Sequence, residues 1–274
     1  MKITDYPVIT EFTEDNVMLV DGNNGTKTIK IADAIMAALH LMSPTNHRLV
    51  FRGKNLGSVV TTEQLAAIQA GTFEGLWLGD YWVINGVTWR IADFDYWYEK
   101  GDTRFTKHHL VIMPDTRLYM TQMNSTATTT GAYIGSEMYT KNLAEAKTAV
   151  TSAFGDSVLS HREHFANAVS SGVPSAGAWC DSTVDLPNEC MMHGHRLLGA
   201  SMQSGAVACY DTIDTVQLAL FKARPYFIMN ADTGSIWTRD VVNASKFAGI
   251  NSDGRAIAPN ADWNLGVRPV FAIG

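Results

Sequence analysis

Short apolar runs bounded by turn residues lie towards both ends of the chain and predict β-strands there. The clearest run covers residues 81–91, where Asn85-Gly86 separates two segments rich in aromatic and β-branched residues. This pair is typical of a two-residue type I′ hairpin turn. Further strands are predicted at residues 17–20, 49–54, 109–114, 235–240 and 267–273.

Helix-start signals occur at two places in the middle of the chain. Thr61-x-x-Gln64 and Ser160-x-x-Glu163 both have the form of a capping box. In such a box, the first side chain accepts from the backbone of the fourth residue, whose own side chain reaches back to the first. The first box predicts a helix over residues 61–70, and the second predicts a helix from Ser160 to about residue 170.

An α+β fold follows from the order of these elements. Further helices are predicted at residues 32–42, 142–154 and 187–193, while residues 212–222 suit either a helix or a strand. Strands come first, two or three helices follow, and strands return at the end. Helices segregated from a mainly antiparallel sheet define the α+β class. No repeated strand–helix unit is present in the sequence, which argues against a doubly wound fold.

Composition narrows the class of protein further. Of the 274 residues, 46% are hydrophobic and 18% are charged, which indicates a globular protein. The net charge of −6 argues against a nucleic-acid partner, which a basic surface would recognise. The first residues become polar at once, so neither a signal peptide nor a membrane-inserted segment is predicted, and synthesis in a cytosol is expected. Cys180, Cys190 and Cys209 are expected to be free, buried thiols.

Candidate metal ligands are few and poorly spaced. His161 and His164 would share one face of the predicted helix, but Glu163 between them already serves as a capping partner. His193 and His195 flank a glycine close to Cys190, without a well-spaced fourth ligand. The interpretation we favour is structural in both cases, with no metal and no cofactor.

Candidate catalytic groups are equally weak. Asp93 and Asp95 would share a face of a strand, as a carboxylate pair of a glycosidase does. A solvated sheet edge beside Tyr96 is the alternative that we favour. The sequence lacks a Gly-x-Ser-x-Gly elbow, a P-loop and a Gly-x-Gly-x-x-Gly motif. No catalytic residue is therefore predicted.

A polar segment of unusual length, residues 251–264, lies directly before the last predicted strand. Loops of this length inside a compact domain are usually functional or disordered. Most of the seven tryptophans fall in strand patterns and are expected in the core, but Trp263 stands between Asp262 and Asn264. An aromatic residue among small polar residues is typical of a binding surface. The alternative is that Trp263 anchors the loop from below.

Several stretches resemble a family of phage and prophage proteins from gut Firmicutes. They are FRGKNLG (residues 51–57) and GTFEGLWLGDYW (71–82), with WTRDVV (237–242), FAGINSDG (247–254) and GVRPVF (266–271) near the end. Members are head-fibre, tail or receptor-binding proteins whose C-terminal module resembles the C-type-lectin-like fold. In some relatives a diversity-generating retroelement varies this loop. Here the classical calcium-binding Glu-Pro-Asn motif is absent.

The resemblance implies a C-type-lectin-like ligand-binding domain over residues 73–274 and an attachment or oligomerisation segment, trimeric by preference, over residues 1–72. Its partners would be a host-surface protein or glycan and other virion proteins, and its location the virion surface. The implied ligand-binding residues are Trp237, Arg239, Lys246, Asn251, Asp253, Arg255, Ile257, Pro259, Asn260, Asp262, Trp263 and Asn264. Two alternatives stay open: a purely structural decoration protein, and a metal-dependent enzyme related to formylglycine-generating or sulfoxide-synthase proteins.

Overall fold

The computed structural model describes residues 17–22, 25–31, 33–34, 47–202, 216–229 and 234–274. The chain divides into two compact units, Met1–Asn46 and His47–Gly274. The predicted boundary at residues 72/73 therefore falls inside the larger unit. In the first unit, the predicted strand at residues 17–20 is confirmed as part of an antiparallel hairpin. The predicted helix at residues 32–42 lies almost entirely outside the described residues.

The described residues form fifteen strands and four α-helices. The strands are β1 (Val17–Gly22), β2 (Gly25–Lys30), β3 (Tyr81–Ile84), β4 (Val87–Phe94), β5 (Leu110–Pro114), β6 (Tyr119–Thr121), β7 (Val158–Leu159), β8 (His161–Ser170), β9 (Val173–Ser182), β10 (Val184–Asp185), β11 (Ile236–Asn243), β12 (Lys246–Ile250), β13 (Ala256–Ile257), β14 (Leu265–Val267) and β15 (Val270–Ile273). The helices are α1 (Thr62–Gln69), α2 (Ala144–Phe154), α3 (Glu189–His193) and α4 (Ala219–Ala223).

Two sheets organise the larger unit. The six-stranded sheet has the order β10-β15-β5-β4-β3, with β7 also paired to β15. The five-stranded sheet has the order β13-β12-β11-β14-β6, and β8 with β9 forms a separate hairpin. Every pair is antiparallel except β11 with β14. Mixed helices with mainly antiparallel sheets confirm the α+β class.

The elements that depend on neighbouring residues form as the sequence predicts. The Asn85-Gly86 turn joins β3 to β4 with φ values of 52° and 77°, as a type I′ turn requires. The capping box at Thr61 is present at the start of α1, with both reciprocal hydrogen bonds. The predicted helix over residues 142–154 is confirmed as α2, and the one at 187–193 as α3.

The predicted helix at residues 160–170 is wrong. These residues form β8, which pairs along its length with β9 through a turn at Ser171-Gly172, where φ is 52° and 80°. Glu163 is no capping partner: it is buried and accepts a hydrogen bond from Trp97 Nε1 at 2.6 Å. Pairing with a distant strand therefore outweighs the local capping pattern.

The predicted strand at residues 49–54 is also absent, and only Phe51 makes an isolated bridge, to Leu78. The segment is held instead by the buried carboxylate of Asp80. This carboxylate accepts from Arg52 and from the backbone N–H groups of Lys54 and Trp77, both at 2.8 Å. One buried anion thus joins residues 52–54 to the start of the six-stranded sheet.

The core contains five of the seven tryptophans, and Trp179 and Trp263 lie outside it. Trp77, Trp82, Trp89 and Trp97 are all at most 2% exposed, as their strand patterns predicted. The predicted last strand is split into β14 and β15 by Arg268-Pro269. Arg268 is 1% exposed and donates to the Pro114 carbonyl, so this break ties together the ends of β14 and β5.

Candidate functional site

The polar segment 251–264 begins with a closed turn. Asn251 Oδ1 accepts from the backbone N–H groups of Asp253 and Arg255, at 3.1 and 2.8 Å, and Asn251 N donates to the Arg255 carbonyl. The short strand β13 follows and pairs with β12. Asn side chains commonly close turns in this way. The hydrophobic pattern of the sequence does not predict this turn, because the turn depends on side chain–backbone hydrogen bonds and not on apolar residues.

The second half of the segment is fixed by backbone hydrogen bonds centred on Ala261. Its carbonyl accepts from Met123 N and Asn124 N at 2.9 and 3.0 Å, and its N–H donates to the Ser245 carbonyl at 2.9 Å. Trp263 N then donates to the Asn260 carbonyl at 3.0 Å. The backbone that carries Trp263 is therefore tied to two other loops.

Trp263 itself is the most exposed tryptophan among the described residues, with 58% of its surface open to solvent. Asn264 beside it is exposed, and Gln122 donates its side-chain N–H to the Asp262 carbonyl. We use the name Trp263 surface for the open side chains of residues 122–127, 243–246 and 260–264. The sequence offered no signal for residues 122–127, because they lie about 140 positions before their hydrogen-bond partners.

The structure divides the twelve implied ligand-binding residues into three groups. Trp237, Arg239 and Pro259 are buried, so a surface ligand cannot touch them. Lys246, Asn251, Ile257, Asn260 and Asp262 are half-buried, whereas Asp253, Arg255, Trp263 and Asn264 are exposed. Asp253 and Arg255 lie in the closed turn, where a side chain at Gly254 would meet Ile228 and Met229. They thus form a patch with neighbours different from those of Trp263.

The two buried strand residues have structural roles. Trp237 is fully buried and donates its indole N–H to the Thr121 carbonyl at 2.9 Å, which joins β11 to the end of β6. Arg239 forms an ion pair with Glu163 at 2.5 Å and lies over the ring of Phe165. Both side chains point into the interior on β11, so we remove them from the candidate site.

Glu163 lies at the centre of a group of buried polar side chains that includes Arg239, His161 and Trp97. Burial by itself would raise the pKa of its carboxyl, but the charge of Arg239 and the hydrogen bonds from His161 and Trp97 outweigh that effect. The pKa of Glu163 therefore lies below its usual 4.5. A permanently charged carboxylate with its cation in place is a stable structural element and a poor proton carrier near neutral pH.

Two carboxylates, those of Glu189 and Asp240, lie close together between α3 and β11. Glu189 accepts from the consecutive backbone N–H groups of Leu197, Leu198 and Gly199, while Asp240 Oδ2 accepts from Glu189 N at 2.6 Å. Burial, reinforced by the negative charge of Glu189, raises the pKa of Asp240 to about 6. Two like charges close together in the interior disfavour ionisation of one of them.

Changing Asp240 to Asn is expected to raise the free energy of unfolding by about 2 kcal/mol at pH 7.5. Because the folded pKa exceeds the unfolded one, Asp240 contributes stability at low pH and loses it as pH rises through about 6. The gain should therefore vanish near pH 4. Urea unfolding at both pH values measures it, with Asp253→Asn as the exposed control. Destabilisation by Asp240→Asn at both pH values would contradict this account.

The predicted metal and catalytic candidates change character in the structure. His161 and His164 lie on a strand and not on a helix, so three residues of separation place them on opposite faces. Asp93 is fully buried and pairs with Arg48, and Asp95 lies past the end of β4, so the predicted solvated edge is wrong. Within the described ranges, no group of three or more His, Cys, Asp or Glu side chains could hold a metal ion.

Cys180 and Cys190 are free thiols, the first half-buried and the second buried, whereas Cys209 lies outside the described residues. None of the helices in the part of the chain that the structure describes is long and apolar enough to cross a membrane.

Comparison with known proteins adds no family to this picture. No protein-family model, no curated protein and no solved structure matches the chain.

Proposed function

We propose that this chain is a non-catalytic structural protein of a phage particle that binds a host-surface protein or glycan through the Trp263 surface. The observation that carries the proposal is an exposed tryptophan on a fixed backbone: Trp263 is 58% exposed while Asn260 and Ala261 hold the loop around it. The virion location and the class of partner rest on the resemblance described above.

The energetics of recognition support this use of Trp263. A large aromatic side chain in solvent buries much apolar area when a partner covers it, and tryptophan is enriched among residues that dominate binding energy. Binding also costs the entropy of ordering loops. Because the backbone of residues 260–263 already makes hydrogen bonds to Met123 and Ser245, little of that cost remains for the bound state.

A C-type-lectin-like scaffold is part of the same proposal. Its support is an irregular segment that connects β13 to β14 in the chain, two strands of the five-stranded sheet whose other strands β11 and β12 are largely buried. Such a loop can change its exposed side chains with little effect on the core. Residues of the Met1–Asn46 unit would then serve attachment to the particle or formation of a trimer.

Alanine at position 263 is expected to weaken binding of the purified protein to host cells by about thirtyfold, the effect of a binding hot spot of about 2 kcal/mol. Binding is measured by flow cytometry on a panel of candidate host strains. Tyr226→Ala is the matched control, because Tyr226 is 72% exposed, aromatic and outside the Trp263 surface. Both variants should melt at the wild-type temperature.

Three other outcomes would count against the proposal. Equal binding by wild type and Trp263→Ala would place recognition elsewhere on the chain. Loss of binding in Tyr226→Ala alone would move the site to a different exposed aromatic residue. Failure of the wild-type protein to bind any strain of the panel would favour a decoration protein that stabilises the particle without a receptor.

A further inference from the structure

The turn between β3 and β4 is an Asn-Gly pair, and both of its residues are exposed to solvent. Its backbone is left-handed at both positions, with φ values of 52° at Asn85 and 77° at Gly86. The side-chain amide of Asn85 donates to Ser152 Oγ on α2 at 3.2 Å, although the two residues are 67 positions apart. This hydrogen bond joins the tip of the hairpin to a helix.

The backbone nitrogen of Gly86 is open to reaction. Glycine has no side chain to hinder an approach to its own nitrogen. A Cβ placed at Gly86 would meet no atom within 4 Å, so the space around this residue is free. No backbone carbonyl in the part of the chain that the structure describes accepts from its N–H. Once deprotonated, this nitrogen is therefore an accessible nucleophile beside the Asn85 side chain.

We propose that Asn85 is a site of covalent modification, where the side-chain amide is lost by deamidation at a rate governed by the hydrogen bond to Ser152. Gly86 N attacks the side-chain carbonyl carbon of Asn85, and the new C–N bond closes a five-membered succinimide ring. The side-chain nitrogen takes up the proton that Gly86 N gives up and leaves as ammonia. Water then adds to either ring carbonyl and opens the ring, which leaves aspartate or isoaspartate at position 85. No oxidant or reductant is consumed.

Ser152 controls the reaction through the position of the amide. Attack requires the Asn85 side chain to fold back onto the backbone of its own turn, whereas the bond to Ser152 Oγ holds the amide towards α2. The contact must therefore break before the ring can close. For this reason the folded protein is expected to react more slowly than the unfolded chain, through brief local opening of the turn.

Both products weaken the contact between hairpin and helix. A carboxylate at position 85 cannot donate to Ser152, and it adds a negative charge to a cleft that Glu145 also lines. Isoaspartate in addition lengthens the backbone by one carbon. The two-residue turn that pairs Ile84 with Val87 then no longer fits the register of the strands. The modification thus loosens the β3–β4 hairpin as the protein ages.

Mass spectrometry of the tryptic peptide of residues 55–90 measures the reaction, since replacing NH₂ by OH changes its mass. The other Asn-Gly pair of the chain, residues 24–25, falls in a different peptide. Fragmentation assigns the gain to position 85, and Asn85→Gln should remove it. The protein is incubated at mildly alkaline pH, both folded and in urea.

Ser152→Ala is expected to deamidate about threefold faster than the wild type when folded, the factor given by one exposed hydrogen bond, and at the same rate in urea. Ser152→Thr keeps the hydroxyl and should react as the wild type does. Thr151→Ala removes an exposed hydroxyl beside Ser152 on α2 and is the matched control. Because both serine and threonine are exposed, all three variants should keep the wild-type melting temperature.

Three results would overturn the proposal. The first is a folded wild-type protein without a mass gain at Asn85 over an interval in which the protein in urea is largely converted. The second is a folded Ser152→Ala protein that reacts at the wild-type rate. The third is equal acceleration in Thr151→Ala, which would assign the effect to the stability of α2 and not to the Ser152 hydroxyl.

Discussion

Replacing Arg239 with methionine is expected to lower the free energy of unfolding by about 3–5 kcal/mol, the cost of leaving a buried charge without its partner. Glu163 is 6% exposed, and Arg239 is the cation that compensates its charge, at 2.5 Å. Methionine keeps much of the volume over the Phe165 ring but cannot balance the carboxylate. Urea unfolding at pH 7, with the slope compared between variants, gives the difference directly.

The partner variant Glu163→Gln separates lost charge from lost packing. Glutamine can still accept from Trp97 Nε1, so the double change Arg239→Met with Glu163→Gln should be clearly more stable than Arg239→Met alone. The pH dependence has a definite sign. The folded pKa of Glu163 is below 4.5, so its stabilisation is present above that value and lost as pH falls through the folded pKa. A cost under about 1 kcal/mol for Arg239→Met would refute the description of this pair.

Removal of the Asp80 carboxylate is the second change with a large expected effect, again about 3–5 kcal/mol. Asp80→Ala leaves the backbone N–H groups of Trp77 and Lys54 without an acceptor and Arg52 without its anion. The first effect should be local unfolding of residues 52–54, since these hydrogen bonds hold that segment to the sheet. Hydrogen exchange at the Arg52 and Leu56 amides, which donate to the Leu78 and Tyr81 carbonyls, would report it.

Two further variants, one conservative and one at the surface, serve as comparisons for the stability of Asp80→Ala. Asp80→Asn retains one acceptor oxygen and should cost less than Asp80→Ala. Asp156→Ala removes an exposed carboxylate and should shift stability by under about 0.5 kcal/mol. Unchanged exchange at Arg52 and Leu56 in Asp80→Ala would mean that the segment is held by other contacts.

The sequence predicted the elements whose cause is local. The Thr61 capping box and the Asn85-Gly86 turn each depend on residues within four positions, and both are present. Ser160-x-x-Glu163 carries the same local pattern as Thr61-x-x-Gln64 but forms a strand. The difference lies in residues 173–182, which offer β8 a pairing partner that no short-range pattern reveals.

The candidate site was recoverable from the sequence only in part. Trp263 stood out because polar neighbours flank it, and the structure leaves it exposed. Trp237 and Arg239 were included through the resemblance, and their burial depends on which face of β11 meets the core, a property set by the whole sheet. The neighbouring residues 122–127 join the surface through hydrogen bonds across about 140 positions, which only the tertiary structure shows.

The position of β15 has a consequence for the way the chain is made. This strand lies beside β5 inside the six-stranded sheet, and Arg268 just before it bonds to Pro114, 154 residues earlier. At ribosomal rates of roughly 5–20 residues per second, β5 leaves the ribosome about 8–30 s before its neighbour exists. During that interval Leu110–Pro114, buried throughout in the finished protein, has a vacant edge. The yield of folded protein is therefore expected to depend on translation speed and on holding chaperones as much as on native stability.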